Sequence, residues 1–291
     1  MKTYLIPVDF SDAMQVTLDY AIFLTKDQPC SLFLFHIYPD QLIIPDSSFP
    51  TGVDTDAFLS TEYITELRKQ AEKNMSAAVE ELEKTLKERG LRHIEVESQI
   101  SGGDPEWEIN DICEKLQPQL IIMGSRGEGN KGFLEGSMAE KIMIRAQRPV
   151  IAVPEKTGEI RLKNLMYATS FENRDLASII SIHDALEHLD IKIHIVHFRL
   201  KHREDLSALR MDQLKQSLQD VFPDYKISYH LIDGGEKADA LHGFIKDYDI
   251  DMISFIAHKT HIFKNLFSNK INKKDFFKLE LPMLAIPDTE S

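Results

Sequence analysis

QLIIMGSRGEGNKGFLEGSMAEKIMIRAQRPVIAVP, residues 119–154, reads in one pass as strand, glycine loop, helix and strand. Gln119–Met123 is a short apolar run of the kind found in strands buried on both faces of a parallel sheet. Five glycines follow within residues 124–137. Ser137–Ala146 is a helix and Pro149–Val153 a second apolar strand. A helical crossover between two strands makes them parallel and leaves the glycine loop beyond the carboxyl end of the first.

The same alternation extends toward the N-terminus. Tyr4–Val8 is a strand, and residues 12–25 set Ala13, Val16, Tyr20, Phe23 and Leu24 near one helical face. Ser31–Ile37 is a strand. A polar loop with Pro39, Pro45, Pro50 and Gly52 precedes a long helix over 61–89 that stops at Gly90. His93–Ile100 is a third strand, and 105–116 is a helix opened by Pro105.

After a polar link, Glu155–Lys163, the order starts again at Leu165. Phe10 matches Phe171 and His36 matches His197, both 161 residues apart. Gly102–Gly103 match Gly234–Gly235 and Gln119–Gly124 match Asp251–Ile256, at 132. Pro149–Pro154 match Pro282–Pro287, PVIAVP against PMLAIP, at 133. The fall from 161 to 132 means that the second copy has lost much of the segment between its second and third strands. The expected fold is therefore α/β, with two tandem, doubly wound, mostly parallel five-stranded sheets covered by helices on both faces. The domains are expected at residues 1–155 and 156–291.

Composition is that of an ordinary globular protein, 43% hydrophobic and 28% charged over 291 residues, enough for two cores. No signal peptide or run of eighteen apolar residues stands out, so a cytoplasmic protein without a membrane role is expected. Cys30 and Cys113 fit a reducing compartment and offer neither a disulfide framework nor a cysteine metal site. The net charge of −13 falls mostly on the first copy, with 15 basic against 26 acidic residues in 1–155 and 19 against 21 in 156–291. Such a surface repels phosphate backbones, so nucleic acid is excluded as a general partner.

A loop leaving a buried strand exposes backbone N–H groups, and residues without Cβ let a ligand approach them. Gly124 and Gly127 stand where that approach occurs, and Gly136 with Ser137 opens a helix whose first N–H groups favour an anion. The alternative is a plain surface loop with Ser137 as an ordinary helix cap. The loop has no Walker ending and does not follow the first strand as a dinucleotide fingerprint does. SGGDP, 101–105, follows the third strand and is discounted as a pyrophosphatase loop.

GSRG, eight residues and GS, together with an early PVDFS and a closing PVIAVP, resemble the universal stress protein family. The resemblance covers nearly the whole chain as a tandem and implies the adenine nucleotide alpha hydrolase-like fold. The family pattern of ATP-binding members has nine residues where this chain has eight. By motif position it implies that Pro7, Val8 and Asp9 belong to the nucleotide site, that Asp9 accepts from the adenine amino group, and that Ile37 meets the base through its backbone. Met123, Gly124, Arg126, Gly127, Gly136, Ser137 and Met138 would surround the ribose and phosphates. A carboxylate beside an exocyclic amine is a usable pair, and a helix cap near Ser11 and Asp12 is the plainer role for Asp9. The resemblance also implies that the fifth strands pair between domains, giving an internal pseudo-dimer, with a homodimer as a further assembly.

In the second copy Asp9 becomes Ser170, Gly124 becomes Ile256, Gly127 becomes Lys259, and Gly136–Ser137 become Asn269–Lys270. One nucleotide per chain, ATP with Mg²⁺ as an accompanying ion, is the expectation; the alternative is no ligand. Eleven histidines do not make a metal site. His194 and His197 point to opposite faces of a strand, and His258 and His261 lack nearby cysteines. The basic segment 258–278, with Phe263, Leu266, Phe267 and Phe276 interleaved, reads first as an amphipathic surface helix, with a membrane-surface or partner-binding patch as the alternative. Lys131 and Arg126 rank behind the backbone as phosphate partners. No nucleophile motif is present, so no catalytic residue is assigned. Three readings remain: a nucleotide-dependent regulator acting on an unknown protein partner, a nucleotide-independent scaffold, and a slow ATPase.

Overall fold

The computed structural model describes residues 1–40, 55–125, 138–156, 158–199, 206–233, 237–257 and 280–288. The first half contains β1 (Lys2–Pro7), α1 (Met14–Thr25), β2 (Cys30–Tyr38), α2 (Thr55–Glu88), β3 (Ile94–Gly102), α3 (Pro105–Leu116), β4 (Leu120–Gly124), α4 (Met138–Arg145) and β5 (Val150–Val153). The second half contains β6 (Asn164–Ala168), α5 (Asp175–Leu186), β7 (Lys192–Arg199), α6 (Ser207–Val221), β8 (Ile227–Asp233), α7 (Lys237–Asp247), β9 (Met252–Ala257) and β10 (Met283–Pro287). The shortening inferred from the offsets shows directly: α2 has 34 residues and α6 has 15.

The expected pair of sheets is a single ten-stranded sheet, ordered β3-β2-β1-β4-β5-β10-β9-β6-β7-β8. Every pairing is parallel except β5 with β10, where Ile151 stands opposite Leu284. Two apolar strands that would each have been an open edge cover one another, which removes an aggregation hazard. The outer edges fall to β3, which carries Glu95 and Glu97, and to β8.

Ladder register tests the internal repeat residue by residue. Tyr4 pairs with Leu32 and Leu120, and 161 and 132 residues on, Leu165 pairs with Ile193 and Met252. Ile121 pairs with Val150 as Ile253 pairs with Met283. The third strand differs: Tyr38 pairs with Gly102, but Arg199 pairs with Asp233, an offset of 131 on this strand. Asp233 thus holds the ladder position of Gly102, and the matched Gly234–Gly235 lie outside the described residues.

Each face of the sheet carries one continuous core. Leu18 and Ile22 of α1, Met75 and Leu82 of α2, Ile179 of α5 and Leu218 of α6 cover one side. Ile109 of α3, Ile142 of α4 and Leu241 of α7 cover the other. Ala71, Met75, Ala78, Leu82 and Leu86 recur three or four residues apart and form the buried stripe of α2. α3 starts where the sequence dictates: Asp104 accepts from the backbone N–H groups of Glu106 and Trp107 at 2.9 and 3.2 Å, and Pro105 needs no partner at its first position. None of the described helices is long and apolar enough to cross a membrane. Cys30 and Cys113 are buried free thiols.

Candidate functional site

Parallel strands β1, β2 and β4 end side by side, and a cleft of about 180 Å³ opens beyond them. By the measure in which roughly 150 Å³ houses a benzene ring, it takes one planar ring system. Pro7, Val8, Asp9, Ile37, Met123, Gly124 and Met138 all line it. Seven residues singled out from the sequence thus meet at one place, although they lie on four separate stretches of chain. Arg126, Gly127, Gly136 and Ser137, with Lys131, lie outside the described residues.

Asp9 is not a helix cap. The residue preceding α1 is Ala13, which makes no side-chain capping bond. Instead Asp9 Oδ1 accepts from the Ser11 backbone N–H at 3.1 Å and from Ser11 Oγ at 2.7 Å, a local turn that fixes the carboxylate at the cleft. The chain is held on both sides of Asp9. His36 donates from Nδ1 to the Val8 carbonyl at 2.7 Å, and its ring lies 4.3 Å from that of Phe10. Phe10 has φ of 59°, a left-handed conformation that a bulky residue adopts only when its surroundings impose it.

Ser11, Ala13, Met14, Thr17, Phe35, His36, Pro105, Ile109, Ser125 and Ala139 complete the described lining. In the sequence His36 stands out only as the counterpart of His197. Periodicity marks the other residues as core or loop, and the crevice exists only once three strands end together. Glu106, 8% exposed, ties the flanking helices by accepting from Lys141 Nζ at 2.6 Å and pairing with Arg145. The i, i+4 spacing of Lys141 and Arg145 on α4 was the available signal. Bare backbone in SGGDP serves packing: a Cβ on Gly102 would stand 2.9 Å from Asp40 Cβ, and Gly103 has φ of 146°.

The matching end of the second half keeps the frame and changes the walls. His197 Nδ1 donates to the Thr169 carbonyl at 2.9 Å and its ring lies 4.2 Å from Phe171, whose φ is 58°. At the positions of Ile6, Val8 and Met14 stand Tyr167, Thr169 and Asp175. They form a buried network in which Asp175 accepts from Tyr167 Oη at 2.7 Å, Thr169 Oγ1 at 2.5 Å and the Glu172 backbone N–H at 2.9 Å. Burial pushes the Asp175 carboxyl above its usual range despite those donors. At Ala13 stands Arg174, paired with Asp288, and at Gly124 stands Ile256.

His194 and His197 face opposite sides of β7, as their spacing requires. His194 packs with His230, 3.3 Å between ring nitrogens, and both contact Ser228 Oγ at 3.0 Å. Burial, reinforced by Lys192 and His230, lowers the His194 pKa to about 4. Among the described residues no three His, Cys, Asp or Glu side chains stand together to hold a metal ion. His258, His261 and the basic segment 258–278 lie outside them.

Doubly wound halves joined through their last strands, with a cleft at the carboxyl ends of one half, define a tandem α/β protein with a crevice at the strand ends, the place where ligands sit in sheets of this kind. The universal stress protein family model matches residues 1–154, and the chain belongs to that family. The universal stress protein YxiE of Bacillus subtilis is 27% identical over 150 residues, covering 51% of this chain and 96% of that protein. The universal stress protein MJ0577 of Methanocaldococcus jannaschii is 27% identical over 160 residues, 54% of this chain and 97% of its own length. A solved universal stress protein from Archaeoglobus fulgidus covers 98% of this chain, with 96% of its own length matched, at a TM-score of 0.65 and 17% identity, a likeness of fold.

Proposed function

We propose that the first half binds one adenine nucleotide, ATP, per chain and that occupancy alters contacts with a protein partner. The observation that carries the reading is the convergence of Pro7, Val8, Asp9, Ile37, Met123, Gly124 and Met138 on a cleft sized for one planar ring system. Asp9 meets the exocyclic amine of the base. Gly124, the glycine loop and the opening turn of α4 supply backbone N–H groups to ribose and phosphate. Residues 1–155 form the binding domain and 156–291 a domain that kept the fold without the site. The protein works in the cytoplasm, in keeping with its two unpaired thiols.

Binding regulates by selecting one arrangement of the loop, because a ligand shifts an equilibrium only through differential affinity. Protein denatured after purification should release a nucleotide on chromatography, and calorimetric titration of the emptied protein should give one ATP site per chain. The competing reading is a nucleotide-independent scaffold, favoured by the eight-residue spacing in the loop. Thermal stability separates them: a real site adds about 2.7 kcal/mol at a hundredfold excess of ligand over Kd, and a scaffold gains nothing.

A further inference from the structure

Immediately after Gly124, Ser125 is fully buried and its backbone N–H is fixed to the Val153 carbonyl at 2.8 Å. Its Oγ has no hydrogen-bond partner among the described residues. Buried hydroxyls are nearly always paired, and an idle one asks for an explanation. Tyr20, Tyr225 and Ser254 carry similar atoms, but none of them lines the cleft, whereas Ser125 does. The second half offers a control within the same chain. At the repeat spacing of 132, Ser125 becomes Ala257, also buried, directly after Ile256 in place of Gly124. The hydroxyl is present in the half with the open wall and absent from the half whose wall is filled.

We propose that Ser125 Oγ is a ligand-binding group, left without a partner among the described residues so that it can hydrogen-bond an oxygen of the bound molecule. It shares its stretch of wall with Gly124, Met138 and Ala139, at the opening of α4, and the base-contacting Asp9 and Ile37 belong to other strand ends. The oxygen it meets therefore belongs to the ribose or to a phosphate, not to the base. A serine hydroxyl suits either, since it donates to a phosphate oxygen and both donates and accepts with a ribose hydroxyl. This inference rests on the nucleotide reading of the cleft.

A group that is idle in the empty protein and engaged in the occupied one gives opposite signs on removal. In Ser125→Ala the melting temperature of the empty protein stays the same or rises, because an unpaired buried polar atom has gone. ATP affinity, measured by calorimetry, falls about tenfold. Titration of adenosine locates the partner: a tenfold loss for adenosine as well as ATP places it on the ribose, and a loss for ATP and AMP alone places it on a phosphate. Unchanged ATP affinity in the variant overturns the role of Ser125 while leaving the nucleotide reading standing. A lower melting temperature in the empty variant makes the residue structural and overturns it equally. A wild-type protein that binds none of the three ligands overturns the nucleotide reading, and this inference with it.

Discussion

Superposed by sequence offset, the carboxyl ends of the two halves carry the same backbone frame and opposite fillings. Phe10 with His36 and Phe171 with His197 repeat the left-handed residue, φ 59° and 58°, the ring contact, 4.3 and 4.2 Å, and the imidazole-to-carbonyl bond, 2.7 and 2.9 Å. Around that frame Ala13, Met14 and Gly124 leave a cleft in the first half, and Arg174, Asp175 and Ile256 take their places in the second. Frame and filling are therefore separable. The frame is what the fold needs to turn from the first strand into the first helix, since it persists where the expected ligand residues have gone. The filling is where the halves were free to diverge.

The most forceful way to break the contrast is to carry one second-half residue across. Gly124→Ile copies Ile256 and places a branched side chain in the wall of the cleft. ATP binding should fall by at least a thousandfold, about 4 kcal/mol, because a rigid wall with close-packed neighbours cannot retreat from four added carbons. Calorimetry on the variant reads this directly, and retained affinity would place the ligand elsewhere.

A second contrast lies deeper. His194 occupies the ladder position of Phe33, so one half has an ionisable ring where the other has a hydrocarbon. With its folded pKa near 4 and an ordinary value near 6.5, the unfolded chain binds more protons between those limits. Stability is complete above pH 6.5 and falls as pH drops toward 4, by up to about 3 kcal/mol. His230, lowered in the same direction by burial, adds to the loss, and Asp175, raised by burial, acts in the opposite sense. Urea unfolding of wild type and His194→Phe at pH 7 and pH 4.5 isolates the histidine. The variant should lose less stability on acidification, and an identical loss would remove His194 from the account.

Much of this contrast was legible in the sequence because it is written in patterns with short periods. Apolar runs gave the strands, PVIAVP and PMLAIP marked the repeat, and the ladder registers reproduce the offsets of 161, 132 and 133. The cleft was legible to the extent that motif positions name its corners. What stayed hidden depends on partners that no local pattern predicts. Glu106 reaches Lys141 and Arg145 across two helices, and Tyr167 meets Asp175 inside a core where periodicity asks for apolar residues. The slip that puts Asp233 in the place of Gly102 is invisible for a related reason: matching glycines by letter outranked matching strands by register. Phe10 combines a positive φ with a ring contact to His36, 26 residues away in the chain, and no local pattern announces either.

The smallest expected effects decide whether frame and filling act together. His36→Ala and His197→Ala each remove one hydrogen bond to a carbonyl and one ring contact in nearly the same geometry. Each should cost about 1–2 kcal/mol of stability, and the two costs should agree within about 0.5 kcal/mol if the frame serves the fold equally in both halves. Only His36 also steadies the turn that presents Asp9. Losing it leaves the carboxylate bonded to Ser11 but free to swing with its loop, so ATP affinity should drop by about fivefold, close to 1 kcal/mol. His197→Ala should leave that affinity where it was. Paired thermal melts and titrations on the two variants give four numbers. Equal stability losses with unequal affinity losses mean that a turn shared by both halves was recruited by one of them to aim a ligand-binding group. Equal losses in both quantities would mean that His36 affects binding only by weakening the whole sheet, and Asp9 would then owe its position to Ser11 alone.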